Sequence, residues 1–348
     1  RAEDAGAALW AFNPPHPGYA ALRGKLEELR RETPAVARER IGPGPILKVG
    51  MKDPRTPLIR ARFGIDASAD ADEGGLVYDT RVASAVADFQ RAHGLPANGA
   101  LTPRTIAALS GGQPARLEAE ILSNMERWRW LPRDLGETRI EVNIPEFQVR
   151  LTRDGKLAHS ARVIVGKPET QTPVFSDEMQ YLVINPYWNV PPSIIRKEML
   201  PAYAKDPTYF ARRGYEVIQR KGQIIVRQPP GERNALGHIK FMFPNDHAVY
   251  LHDTPNRSLF RNDRRAYSHG CVRVDQPFQL AEAILPPDWS EQRLRRMIGR
   301  GGERSVQLPT RIPIHLQYFT AFVDQGGKMQ LREDIYGHSR RVQAALGL

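Results

Sequence analysis

The stretch Ser268-His269-Gly270-Cys271-Val272-Arg273-Val274 contains the single cysteine of the chain. Nineteen positions before the sulfur lies His252, in Tyr250-Leu251-His252-Asp253-Thr254-Pro255. An unperturbed thiol titrates near ~8.5 and reacts as the thiolate, so an imidazole within reach would serve as its base. Gly270 beside the sulfur would let a substrate backbone come close. The plainer alternative is a buried, inert cysteine, since free cysteine is among the most buried residue types.

Working outward, the composition is that of a folded chain. Hydrophobic residues make up 41% and charged residues 26% of 348, enough for two or three domains with real cores. The 50 Lys and Arg outweigh 39 Asp and Glu, a formal charge of +11 that suits an anionic partner: nucleic acid, a membrane surface or an acidic wall polymer. The arginines are dispersed and no basic run is interleaved with aromatics, which argues against a nucleic-acid module. No stretch reaches the ~18–20 apolar residues of a membrane-spanning helix. The chain starts at Arg1 without a signal-type apolar region and reads as a processed or truncated product. One cysteine forms no intrachain disulfide.

Residues 1–45 hold one helical pattern, Leu22, Leu26 and Leu29, which must pack on something later. Residues 46–111 read as a module of about three short helices. Asp79 is placed to cap the middle one, Val82, Val86 and Phe89 form its apolar stripe, and Gly94 ends it. Asn98-Gly99 is a tight turn, after which Thr102 caps a helix that starts at Pro103. Residues 112–135 carry a helix with Leu117, Ile121, Met125 and Trp128 on one face. Its natural partner is the helix of 19–31, giving a scaffold split by the inserted module.

From Thr138 the hydrophobic period becomes two, at Ile140, Val142 and Ile144 and again at Phe147, Val149 and Leu151. Asp154-Gly155 is a hairpin turn, followed by a strand through Val163–Val165. Further strands are expected at Tyr181–Ile184, Ile224–Arg227, Ile239–Phe243, Ala248–Leu251 and Ile312–Val323. Helices are expected near 194–204, 276–285 with Asp275 as cap, and 291–299 with Ser290 as cap. The fold class is therefore α+β and multidomain. A mainly antiparallel β domain over 136–323 accompanies the helical scaffold, and 324–348 form a C-terminal hairpin and helix. The strands thin out over about 186–237, either a capping subdomain over the site or an ordinary surface excursion.

Ala248–Leu251 as a strand would deliver His252 at its end and turn His247 to the opposite face. His269 and Cys271 would share a face if extended, so the sulfur has two candidate partners, His252 and His269. Either the Asp253 side chain or a backbone carbonyl would orient His252. A zinc site from His252, His269, Cys271 and Asp253 lacks the usual ligand spacing, and neither metal nor cofactor is expected.

His252, the gap and Ser268-His269-Gly270-Cys271-Val272-Arg273 together resemble the L,D-transpeptidase (YkuD) catalytic domain. Asn124-Met125-Glu126-Arg127-Trp128-Arg129-Trp130-Leu131-Pro132, Val142-Asn143-Ile144-Pro145 and Asn185-Pro186-Tyr187-Trp188 are similar to the large Gram-negative members. Leu47-x-x-Gly50, Val82-x-x-x-Val86-x-x-Phe89-Gln90 and Gly94-Leu95-x-x-Asn98-Gly99 resemble a peptidoglycan-binding type 1 domain. The resemblance implies a periplasmic enzyme that joins peptidoglycan stem peptides. A tetrapeptide donor would be passed through a cysteine thioester to a diaminopimelate amine, giving a 3→3 bridge. It implies Cys271 as nucleophile and His252 as base, with His269 shaping the site. Gly270 and Cys271 would offer N–H groups to the oxyanion. Arg273, Ser268, Tyr250, Asp253, Tyr187 and Trp188 would contact substrate, the last two from the lid. Carbapenem-type β-lactams would acylate the thiol. A hydrolytic or lipoprotein-attaching or -detaching relative, or an inactive wall-anchoring protein, are the alternatives.

Overall fold

The computed structural model describes residues 11–32, 41–66, 75–110, 113–220 and 223–348. The chain divides into two units, one of Trp130–Thr320 with Arg332–Gly337 and one of Arg1–Arg129 with Ala321–Leu331 and His338–Leu348.

The first of these carries the cysteine. Its strands are β1 (Arg139–Asn143), β2 (Gln148–Arg153), β3 (Lys156–Gly166), β4 (Phe175–Ile184), β5 (Trp188–Asn189) and β6 (Glu216–Arg220). They continue as β7 (Gln223–Gln228), β8 (Ile239–Met242), β9 (Leu251–His252), β10 (Ala266–Ser268), β11 (Val272–Val274) and β12 (Arg304–Gln317). Nine of them form one sheet in the order β10-β3-β11-β9-β8-β4-β12-β1-β2, and β3 also pairs β2, so the order closes on itself. Most pairings are antiparallel. β1 with β12, β10 with β3 and β9 with β11 are parallel.

Local chemistry explains the connections. Asp154 and Gly155 both take positive φ, 50° and 71°, the geometry of a two-residue hairpin turn whose twist matches its strands. The alternation that runs through Ile144 is broken by a 3-10 turn at Ile144–Glu146, and Phe147 is left-handed before β2 begins. One sheet face carries Val142, Val149, Leu182, Phe241, Leu251, Val272 and Leu316 into a single apolar cluster, which the helix Pro277–Ile284 also joins through Phe278, Leu280 and Ile284. At ~25 cal/mol per Å2 of apolar surface removed from water, this cluster dominates the stability of the unit.

Several expected elements differ. The run Ala248–Leu251 is not a strand: pairing is confined to Leu251–His252, and Ala248 is left-handed at φ 54°. Asn245 is the cause, since its side chain donates to the Phe243 and Val249 carbonyls and accepts from the His247 and Val249 N–H groups. His247 therefore leaves the site because the loop turns it onto Phe175, ring centroids 4.8 Å apart, and not through strand alternation. Asp275 does not cap the following helix. Gln276 precedes it in a left-handed conformation, and Asp275 pairs with Arg162 at 2.7 Å. The strand expected at Ile312–Val323 begins at Arg304 and stops at Gln317.

Between β4 and β8 the chain builds a small three-stranded sheet, β5-β7-β6, and a helical stretch over 192–205 whose middle, Ile195–Met199, is a π-helix. Val190, Ile195, Met199, Phe210 and Val226 form its own core.

In the other unit the helices Pro17–Glu32 and Gln113–Arg129 pack through Leu22, Leu26, Ile121 and Met125. The hairpin of β13 (Ala321–Val323) and β14 (Met329–Leu331) adds Val323 and Met329 to that cluster. A separate cluster of Leu47, Ile59, Val82, Val86, Leu101 and Leu109 joins the helices Thr56–Arg62, Thr80–Ala92 and Pro103–Ser110. The caps are as read: Asp79 accepts from the Val82 N–H at 2.9 Å, and Thr102 from the Thr105 N–H at 3.1 Å. Gly99 is left-handed, and a Cβ there would meet the Ala83 carbonyl at 2.7 Å. No helix among the described residues is long and apolar enough to cross a membrane.

Candidate active site

Three neighbouring strands set the site. In the parallel β9–β11 pairing His252 faces Arg273, and in the antiparallel β8–β9 pairing it faces Lys240. Register partners share a sheet face, so Lys240, His252 and Arg273 form a row across it. Phe241, Leu251 and Val272 form the matching row on the other face, inside the apolar cluster. One step back from Leu251 and Val272 come Tyr250 and Cys271, beside the hydrogen bond from the Val272 N–H to the Tyr250 carbonyl, 3.1 Å. The pairing of two short strands, rather than one strand's alternation, places the thiol and the imidazole on neighbouring segments of the sheet.

His252 is buried, 4% exposed, and its Nδ1 lies 2.5 Å from the Asp253 carbonyl. A carbonyl only accepts, so Nδ1 carries the proton and Nε2 keeps its lone pair. Burial, then the charges of Arg273 and Lys240, push the imidazole down to about 3 despite the Asp253 carbonyl, so the ring is neutral near neutral pH. Of the two groups that were open for orienting it, the backbone carbonyl fills the role. The Asp253 carboxylate is 1% exposed as a residue and is spent elsewhere, accepting from the His238 and Thr254 N–H groups and from Arg257.

Burial pushes the Cys271 thiol up, while the Tyr250 N–H and hydroxyl, Lys240 and Arg273 act in the opposite direction. Among the described residues its sulfur donates to the Ala248 carbonyl at 3.8 Å and is hydrogen-bonded to neither imidazole. Gly270 takes φ 117°, a region that favours glycine. Its N–H donates to the Ser268 hydroxyl at 3.1 Å, and that hydroxyl donates to the Cys271 carbonyl at 2.5 Å. Ser268, expected as a substrate contact, is 2% exposed and braces the loop instead. Gly270, expected as an oxyanion donor, has its N–H engaged. The Cys271 N–H makes no hydrogen bond among the described residues.

His269 Nε2 lies 2.6 Å from Glu198 Oε1 on the π-helix. The contact ties the 186–237 segment to the cysteine loop. Arg273 is half-buried, with a buried Nε that has no partner among the described residues. Tyr187 and Trp188 make contacts of their own. The Tyr187 N–H donates to Glu303 and its ring lies 4.6 Å beneath Arg227, while Trp188 packs in the segment's own core against Tyr215.

Three residues of the site went unread in the sequence. Thr172 donates to the Gly270 carbonyl at 2.8 Å, and its hydroxyl accepts from the Gly166 N–H at 2.9 Å. Glu198 and Lys240 are the others. Lys240 had a usable signal, a lone cation inside the apolar run Ile239–Phe243.

Residues 137–297 match the family model described as "L,D-transpeptidase catalytic domain", and residues 61–109 match that described as "Putative peptidoglycan binding domain". A Haemophilus influenzae protein named "Putative L,D-transpeptidase" is 34% identical over 249 residues, which is 66% of this chain and 50% of that protein. The chain thus spans about half the length of the curated relative it matches. An L,D-transpeptidase from Mycobacterium smegmatis is similar at 16% identity and TM-score 0.29, over 52% of this chain and 58% of that one. One from Xylanimonas cellulosilytica (residues 123–326) is similar at 16% identity and TM-score 0.24, over 79% and 99%. The transpeptidase LdtMt1 in complex with imipenem is similar at 13% identity and TM-score 0.27, over 52% and 58%. Scores this low add nothing to the argument from the family model.

Proposed function

We propose that the protein forms 3→3 cross-links in peptidoglycan, with Cys271 as nucleophile and His252 as base, a reading supported by the match of residues 137–297 to the L,D-transpeptidase catalytic domain model. The observation that supports this reading is the pairing of β9 with β11, which seats a neutral imidazole, its Nδ1 held by the Asp253 carbonyl, two register positions from the one thiol of the chain.

The residues suggest the following course. Cys271 Sγ attacks the carbonyl of diaminopimelate in a tetrapeptide stem, and its proton passes to His252 Nε2. Since the thiol rests on the Ala248 carbonyl, the Cys271 side chain first turns toward the ring. The Cys271 N–H is the donor left free for the oxyanion, a contact typically worth about 3–4 kcal/mol. The terminal D-alanine leaves as the amine, taking the proton from His252, and a thioester remains. A second diaminopimelate amine attacks the thioester, gives its proton to His252, and releases the thiolate to be reprotonated. Asp253 acts through its carbonyl, which holds the ring in the required tautomer. Arg273 supplies an unpaired guanidinium for a substrate carboxylate. The 186–237 segment, tied by Glu198 to His269, keeps water from the thioester. Residues 46–111 hold the enzyme on the wall polymer, and the protein works in the periplasm.

The test is product analysis. Purified protein incubated with tetrapeptide muropeptides should yield dimers with a diaminopimelate–diaminopimelate bond, and Cys271→Ala none. Tripeptides without dimers would assign the protein to hydrolysis instead. Exposure to a carbapenem should add its mass to Cys271, and an unmodified cysteine after exposure would favour the wall-anchoring alternative.

A further inference from the structure

Lys240 stands in the site without a partner that explains it. Its ammonium sits 3.9 Å from the Tyr250 ring centroid, across the sheet from His252, and no ion pair or hydrogen bond engages it among the described residues. A half-buried lysine in this state costs free energy, which a folded protein tolerates where the charge has a use. Arg273 occupies the mirror position on the far side of His252, its Nε buried and unsatisfied. The two cations bracket the base, and Tyr250 links one of them to the thiol: its ring underlies Lys240 and its hydroxyl approaches the sulfur.

We infer that Lys240 is a positioning residue of the site, which supports negative charge on the Cys271 sulfur through space and through the Tyr250 phenol lying between them. The inference rests on Cys271 being the reactive thiol, though not on what is transferred. The groups that act on the sulfur are Tyr250 from the approach to β9, Arg273 from β11 and Lys240 from β8, with His252 between the two cations in the strand register. Glu303 is the acidic group in electrostatic reach of Lys240, and it is engaged by the Tyr187 N–H. His252 is neutral at rest, so it lends the sulfur no positive charge until it has taken the thiol proton. A tyrosine with its ring under a cation is a better hydrogen-bond donor, so the lysine acts on the sulfur by two routes.

The test reads the thiol itself and needs no cell-wall substrate. The rate of Cys271 alkylation by iodoacetamide, followed by mass spectrometry from pH 6 to 10, gives a midpoint for the intact protein. Lys240→Met should move that midpoint up by roughly one unit, about a tenfold slower reaction below it. Lys240→Arg should stay near the wild-type value. A Lys240→Met midpoint equal to wild type, in a protein whose circular dichroism is unchanged, would overturn the inference. If Lys240→Met does not fold, the wild-type chain decides: the 15N-lysine signal of Lys240 should titrate lower in Cys271→Ala than in the native protein, and an unmoved titration refutes the coupling. A transpeptidase assay negative in all variants, with the midpoint shift intact, would sink the proposed function and leave this inference standing.

Discussion

At the scale of single residues the site is defined by which atoms are already engaged. The Asp253 carbonyl fixes the proton of His252 on Nδ1, so replacing the ring should remove the proposed base without removing the thiol. His252→Gln is expected to lower turnover by ~10^2–10^4-fold while the purified protein stays folded, as checked by steady-state kinetics beside a thermal melt. The same residue should sensitise the fold to acid. Its imidazole titrates near 3 when folded and near ~6.5 when unfolded, so the unfolded chain binds the extra proton between those values. Its contribution to stability is complete above pH 6.5 and is lost as pH falls toward 3, at up to ~1.4 kcal/mol per unit. Urea titrations at pH 7, 6, 5 and 4 should show that slope reduced in His252→Gln.

Single elements carry the next level of the argument. Strand β9 is two residues long and cannot hold His252 by ladder bonds alone. The buried Asp253 side chain anchors it, gathering the His238 and Thr254 N–H groups and Arg257. Gly237 packs against that carboxylate so closely that a Cβ would lie 2.3 Å from its Cγ, at a φ of 60°. Gly237→Ala should therefore cost roughly 2 kcal/mol or more of stability, read from chemical denaturation, and reduce turnover beyond what the lost stability explains. The π-helix Ile195–Met199 is the other element with a visible task, since it presents Glu198 to His269. Glu198→Gln weakens that tie, and faster amide exchange over 192–205 is the outcome to expect.

Legibility from sequence was also a matter of elements. The hairpin at Asp154-Gly155 and the caps at Asp79, Thr102 and Ser290 were readable because a local residue dictates the local backbone. The cysteine and its histidine were readable as types and spacing. What remained hidden is set by tertiary partners. Asn245 redirects a run of β-forming residues, Arg162 claims the carboxylate that would have capped a helix, and Ser268 turns inward to close a loop. Lys240 and Glu198 belong to the site only through pairing across distant strands and helices, which no local period encodes.

For the whole molecule, two kinds of module share one chain, a match to an L,D-transpeptidase catalytic domain model over residues 137–297 and a match to a peptidoglycan-binding domain model over 61–109. With a formal charge of +11, adsorption to isolated sacculi should be strongly weakened between 50 and 500 mM salt in a pull-down, since the Debye length falls from more than ~10 Å to a few ångströms. Binding that persists unchanged at high salt would instead assign the attachment to specific contacts.

The parallel ladder between β9 and β11 has its own consequence for handling the protein. The proposed nucleophile and base lie at two strands in the middle of the closed sheet, each strand backed by Leu251 or Val272 in the main cluster. Heat should therefore not silence the catalyst early and melt the protein later: residual turnover and loss of the near-ultraviolet dichroism signal ought to decline along one curve.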